Sequence, residues 1–350
     1  MANWHHENLP RENGEIVPMQ TPEIVSASRS TDIPAFYADW FFHRLKVGYS
    51  VWTNPFNGAK IYVSYKNTRF IVFWSKNPQP LLKHLDYLKE RNIGCYIQYS
   101  LNDYEEEKLE LKVPSIQYRI NTFKKLVDKL GIGHVIWRFD PLMLTDEICI
   151  DRLLSKIERI GDQLKGYTEK LVFSYADISI YKKVKANLEK NKIAYHEWNE
   201  PLMIEFAKRL AELNKKWGYT LATCGERIDL SQYGIQRNHC IDYDHIVRLA
   251  HDDKILMDFI GATIHKIKYD LFGEPEPLPA RAILLSGDRY ATKDDGQREF
   301  CGCLRSKDIG EYNTCPHMCE YCYANTSKDE ALNNWKRHIM NKESETITGK

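Results

Sequence analysis

The chain has no run of about 18 apolar residues, and residues 1–20 are polar, with a His pair and no apolar stretch. These absences predict a cytoplasmic protein with no membrane partner. Surplus charge is also missing, since 49 Lys and Arg against 48 Asp and Glu leave a formal net charge of +1. The overall field therefore does not draw the chain onto nucleic acid, and such binding would need a local patch. The run Tyr181-Lys-Lys-Val-Lys185 is basic and aromatic, but on a helix it reads as a solvated face, so nucleic acid stays open and unsupported. No internal repeat or long low-complexity tract is present, which argues against a solenoid. With 43% hydrophobic and 12% aromatic residues, wholesale disorder is excluded.

Nine cysteines stand out against this background. In a reducing compartment they are better explained by metal or catalysis than by disulfides.

From about residue 23 to 226, β-rich runs alternate with amphipathic ones, the pattern of a parallel sheet with crossover helices. The runs 23–27, 69–74, 94–100, 134–139, 170–175 and 219–223 are rich in Val, Ile, Phe or Tyr and read as strands. Helical runs at 35–46, 80–91, 115–130, 150–164 and 202–217 lie between them, most closed by a nearby Gly such as Gly48, Gly131, Gly166 or Gly218. Asn57-Gly58 within 51–65 marks an inserted hairpin. The expected fold is α/β, a partial or complete parallel (β/α) TIM-like barrel with a cysteine-rich C-terminal extension; an open doubly wound sheet is the alternative. Residues 1–22 form an N-terminal extension, 23–275 the barrel-like unit and 276–350 the cysteine-rich region, the boundary marked by Pro275, Pro277 and Pro279. Residues 342–350 are polar and expected to fray.

Cys315-Pro-His-Met-Cys319-Glu-Tyr-Cys322 puts three thiols on one short loop. Three thiolates on a four-iron cube leave one iron without a protein ligand, open to a substrate or cofactor. The structural alternative is a zinc knuckle, which needs a fourth ligand from elsewhere. The triplet, with Tyr321 before its last cysteine, resembles the signature of the radical S-adenosylmethionine superfamily. That resemblance implies a [4Fe-4S] cluster on Cys315, Cys319 and Cys322, S-adenosylmethionine on the open iron and Tyr321 near the adenine. It further implies a 5′-deoxyadenosyl radical that abstracts hydrogen from a small-molecule or nucleotide-like substrate, and an electron donor such as flavodoxin or ferredoxin. The sequence departs from that superfamily in carrying the motif at residue 315 rather than after the first strand, and in lacking a clear Gly-Gly-Glu stretch. The longer run from Cys301-Gly-Cys303 to Cys322-Tyr-Ala-Asn325, with Ser28-Arg29-Ser30-Thr31-Asp32-Ile33-Pro34, resembles an uncharacterised family that ends in such a cysteine cluster.

Cys224, Cys240, Cys301 and Cys303 could close a second site, an auxiliary iron-sulfur cluster or structural zinc, against the alternative that buried cysteines simply fill space. Cys95 and Cys149 read as packing residues, and His317 as an exposed side chain that need not be a ligand. At the carboxyl ends of the strands, where barrels place their chemistry, stand Arg29, Asp32, Lys76, Asn77, Asn102, Arg138, Asp140, Ser174, Asp177 and Glu226. Arg29, Asp32, Arg138, Asp140 and Glu226 are the catalytic candidates. For Asp32 the plainer reading is an N-cap, and for Arg138 and Asp140, two residues apart on one strand face, a structural ion pair. If the metal is zinc, the chain is a zinc-stabilised α/β barrel hydrolase, or a sugar- or nucleotide-binding protein, with Asp32, Asp140 and Glu226 as acid-base groups.

Overall fold

The computed structural model describes residues 4–262, 293–294 and 301–350; the expected boundary near residue 275 and its prolines lie outside them. The main sheet contains β3 (Ile24–Ala27), β6 (Phe70–Ser75), β7 (Gly94–Ser100), β8 (Val135–Leu142), β10 (Lys170–Tyr175), β12 (Thr220–Thr223), β13 (Ile235–Arg237) and β14 (Lys307–Asp308). Its spatial order is β13-β12-β10-β8-β7-β6-β3-β14, and all of its pairings are parallel. Seven strands thus follow one another in chain order and the last returns beside the first. This is a single continuous winding, not the reversed order of a doubly wound sheet. Among the described residues no ladder joins β13 to β14, so a closed barrel is not shown.

The six expected strands are all present, five within a residue at their ends and β8 running three residues beyond the expected 139. The two additions, β13 and β14, are three and two residues long, too short to show a period. The crossovers carry α4 (Ile116–Leu130), α5 (Ile150–Leu164), α6 (Lys182–Lys190) and α7 (Glu200–Asn214). The expected helix at 35–46 is split into α1 (Ile33–Phe36) and α2 (Ala38–Val47), and the one at 80–91 opens with a tight 3₁₀ turn before α3 (Leu85–Glu90).

Alternation along the strands divides the core in two. Val25, Ile71, Phe73, Ile97, Tyr99, Trp137, Phe139, Leu171 and Phe173 pack in one cluster with Phe41, Phe123, Ile157 and Phe206 of the crossover helices. Ile24, Phe70, Val72, Tyr96, Ile136 and Val172 form the other, covered by α8 (Tyr243–Ala250) and α9 (Lys254–Ile260) through Ile246, Val247, Leu256 and Met257. Farther along the strands this second face turns polar, at Ser26, Trp74, Gln98, Arg138 and Ser174. The site is built on that polar half.

The N-terminal residues fold with the expected hairpin. β1 (His6–Pro10), β2 (Ile16–Gln20), β4 (Tyr49–Thr53) and β5 (Lys60–Ser64) make a four-stranded sheet in the order β1-β2-β5-β4. A two-stranded pair, β9 (Leu144–Thr145) with β11 (Tyr195–His196), completes the strands described.

The C-terminal residues do not fray. After α10 (Lys328–Met340), the Val51 amide donates to Glu345 O at 2.8 Å, Trp40 Nε1 donates to Ser344 O at 2.8 Å, and Ile347 is buried. A polar segment with one or two apolar anchors gives no pattern from which docking could be read. Cys149, expected to pack, is exposed at the start of α5.

Burial pushes the His338 imidazole down to about 4, against a hydrogen bond to the Ile347 backbone that works the other way. Between that value and the ordinary 6.5 the unfolded chain takes up a proton that the folded chain refuses. Stability therefore falls as pH drops from about 6.5 toward 4. His338→Leu is expected to remove part of this loss, which urea midpoints of wild type and variant at pH 7 and pH 5 will measure.

Candidate functional site

β14 pairs with β3, so the chain leaves it at the carboxyl edge of the sheet, and the cysteine segment follows. Asp308 fixes the exit: its Oδ2 accepts from the Arg29 amide at 2.8 Å and Ser26 Oγ at 2.9 Å, and its Oδ1 from the Gly310 amide at 3.0 Å. Residue 310 must be glycine for space, since a Cβ there would lie 1.9 Å from Ser28 Oγ.

The cysteine loop is then held from several strand ends. Its backbone lies against the segment after β7, where the Glu320 amide donates to Leu109 O at 2.9 Å and the Lys112 amide to His317 O at 3.0 Å. Tyr321 enters a buried polar group: its hydroxyl donates to Glu110 and accepts from Lys76 Nζ at 2.9 Å and Asn102 Nδ2 at 3.1 Å. Lys76 Nζ also meets Glu110 at 2.7 Å, and Arg119 lies 3.4 Å from the other oxygen of that carboxylate. Burial would neutralise Glu110, but the Lys76 and Arg119 charges hold its carboxyl below the ordinary value.

Asp32 is a joint, with all its contacts buried or nearly so. It caps α1 through the Ala35 amide and accepts from Ser75 Oγ at 2.6 Å and the Lys76 amide at 2.7 Å. It also faces His317 Nε2 at 2.8 Å. His317 is therefore not the exposed side chain expected; it is 2% exposed and ties the loop to the end of β3. From α6, Asn187 and Asn191 hold Glu320, and Lys183 meets Thr326, so the basic run 181–185 contributes a contact with the cysteine region.

Burial is the largest cause raising the proton affinity of all three thiols of this loop, and Cys315 and Cys319 are raised further by their cysteine neighbours. The Lys76 ammonium lies beside Cys319 and opposes the rise there.

Arg138 and Arg29 occupy the neighbouring ground. Both guanidinium carbons lie 5.4 Å from the Trp74 ring. Arg138 binds Asp140, Gln98 Oε1 at 3.1 Å and Cys240 Sγ at 3.4 Å. Burial would raise the Asp140 carboxyl, but the Arg138 charge and the Ser174 hydroxyl bring it down. Glu226 accepts from the Tyr175 amide at 2.9 Å, and its carboxyl is pushed up to about 8 by burial first, then by Asp177 and Asp140. Cys224 and Cys240 touch, their sulfurs 3.1 Å apart. Cys303 Sγ accepts from the Cys240 amide at 3.2 Å, and Cys301 lies in the field of the same group. Among the described residues no three His, Cys, Asp or Glu side chains already share the reach of one metal ion; the sulfurs make pairwise contacts.

Arg29, Asp32, Arg138, Asp140, Glu226 and Tyr321 thus lie at or beyond the carboxyl ends of the strands, whereas Cys301 and Cys303 precede β14. Glu110 was missed because it ends the run Asp103-Tyr-Glu-Glu-Glu-Lys-Leu-Glu110, which reads as a solvated loop. Asn238, whose Nδ2 donates to Cys240 Sγ at 3.4 Å, gave no signal at all.

The fold and site define a singly wound α/β protein with two groups of buried and half-buried cysteines among polar residues. The chain belongs to the family described as Domain of unknown function (DUF1848), whose model matches residues 24–324. No curated protein and no solved structure matches it.

Tyr321→Phe deletes the hydroxyl shared by Glu110, Lys76 and Asn102. It is expected to cost ~1–3 kcal/mol, read as a lowered denaturant midpoint at unchanged slope.

Proposed function

We propose that this chain is a radical S-adenosylmethionine-type enzyme that carries a [4Fe-4S] cluster on Cys315, Cys319 and Cys322. The observation that supports the reading best is the fastening of the Cys315–Cys322 loop to the carboxyl edge of the parallel sheet, through His317 on Asp32 and Tyr321 on Glu110, Lys76 and Asn102. Iron-sulfur clusters are held by thiolates on such short loops, and hydrogen bonding around the ligands orients them. A loop held by Asp32, Glu110 and Asp308 would keep the three sulfurs in place whether or not the ligand is bound. When bound, the cluster would supply an electron to cleave the sulfonium of S-adenosylmethionine, giving a carbon radical able to take hydrogen from a substrate.

The chain's own residues divide the remaining work. Arg138 and Arg29, beside the Trp74 ring, are suited to an anionic group of the cofactor or substrate, a carboxylate or phosphate. Asp140 holds the Arg138 guanidinium in place, and Glu226 offers a carboxyl on the same polar ground. Asp32 acts through His317 and the Lys76 amide, as a positioning residue. Tyr321 is anchored by its hydroxyl, which leaves its ring as the part able to face an adenine. The winding order, with β14 beside β3, supports a partial barrel whose working end is the carboxyl edge. A small electron carrier of the flavodoxin or ferredoxin type would be the redox partner.

The test is anaerobic. Protein reconstituted with iron and sulfide, reduced with dithionite and given S-adenosylmethionine is expected to release 5′-deoxyadenosine and methionine, and Cys319→Ala to release neither. A wild-type protein that takes up no cluster and instead holds zinc on these cysteines would sink the radical mechanism. Asp32, Asp140 and Glu226 would then be the acid-base groups of a zinc-stabilised hydrolase.

A further inference from the structure

Among the described residues no ladder joins β13 to β14, and four cysteines gather on the two sides of that opening. Cys224 follows β12 directly, Cys240 lies three residues beyond β13, and Cys301 and Cys303 come shortly before β14. The chain on the two sides of the gap is already tied by the Leu304 amide, which donates to Ile241 O at 2.9 Å. Cys224 and Cys240 meet, their sulfurs 3.1 Å apart, and Cys303 and Cys301 lie within electrostatic reach of them. Cys240 and Cys303 are 5% and 1% exposed.

The surroundings are those of charged sulfur. Arg138 Nη1 and Asn238 Nδ2 each donate to Cys240 Sγ at 3.4 Å. The Cys240 and Ile241 amides donate to Cys303 Sγ at 3.2 and 3.4 Å, and the Cys303 amide faces Cys301. The Arg29 guanidinium also lies in the field of Cys240 and Cys303, with its Nη2 unpaired among the described residues. Asn238, 3% exposed, has an unpaired Oδ1 at the same place. Arg138, which also binds Asp140, and Arg29, which also lies near Asp308, stand beside the four cysteines. Four thiolates on a divalent zinc ion or a four-iron cluster would leave about two negative charges for such cations to face. Gly302 lets Cys301 and Cys303 approach, because a Cβ there would lie 2.4 Å from His239 Nε2.

We infer that Cys224, Cys240, Cys301 and Cys303 form a closed four-thiolate metal centre that bolts the β13 side of the sheet to the β14 side. As a zinc site it would separate the sulfurs to about 3.8 Å, from a Zn–S bond of about 2.3 Å and tetrahedral angles. Cys224 and Cys240 would thus part by less than about 1 Å, and a four-iron cluster would spread the four farther. With all ligands supplied by protein, this centre has no open position for S-adenosylmethionine. Its work is to fix the last strand, and with it the cysteine loop that follows. The inference does not rest on the radical reading, and the experiment separates the two.

A variant with Cys315, Cys319 and Cys322 all changed to Ala removes the first group only. Elemental analysis of that protein, prepared both anaerobically with iron and sulfide and aerobically with zinc, is expected to find about one zinc or about four irons per chain. The preparation that retains metal through a chelating column identifies the occupant. Adding Cys301→Ser and Cys303→Ser is expected to abolish that metal and lower Tm. As a measurement independent of how the multiple variants fold, the wild type is also alkylated in its native state and mapped by mass spectrometry. Cys224, Cys240, Cys301 and Cys303 should react together, and only after metal is stripped with acid and chelator. A first variant that folds but binds neither metal would overturn the inference. So would labelling of the four cysteines that is the same before and after stripping, or a Cys224–Cys240 disulfide in metal-free native protein.

Discussion

The buried contact of Glu110 with Lys76 and Tyr321 is the constraint on which the site depends. A loop more than two hundred residues downstream must be returned to strand ends laid down early in the chain. Closing so long a loop carries an entropic cost that no local propensity offsets. The offset comes from tertiary groups: an ion pair shielded from water, a phenol placed between its partners, and Asp32 with His317. Removing one charge of the ion pair leaves the other buried without its partner, which typically costs about 3–5 kcal/mol. The loop is thus held in one place.

Around that point the polar residues form a continuous chain of contact. Lys76 lies in the field of Cys319, and its charge also reaches Asp140. Asp140 holds Arg138, and Arg138 donates to Cys240. One cysteine group is therefore joined electrostatically to the other through two cations and a carboxylate. Charges this close in a poorly hydrated place set each other's protonation and position. Whatever occupies one group will be felt at the other.

Much of the layout was legible because it is local. The strand runs carry β-branched and aromatic residues, helices such as α5 carry a clean apolar stripe, and Asn57-Gly58 marks the hairpin. The cysteine triplet is readable for the same reason, its spacing being a property of one short loop. The expectation that polar residues after each strand gather at one edge needs only parallel strands, which the crossovers dictate. Illegible features are those made by partners distant in sequence. His317 looks exposed until Asp32 is placed beside it, residues 342–350 look frayed until Val51 and Trp40 receive them, and Glu110 looks like part of a solvated acidic run.

The sequence by itself determined the α/β class, the strand and helix periods and the close approach of Cys315, Cys319 and Cys322, because each follows from residues within one turn or one strand of each other. Only the tertiary structure decided that β14 returns beside β3, that Cys224 meets Cys240, and that the Cys240 amide reaches Cys303. Those pairings join segments tens to hundreds of residues apart. Two- and three-residue strands have no period to announce them, and an isolated cysteine carries no mark of its partner.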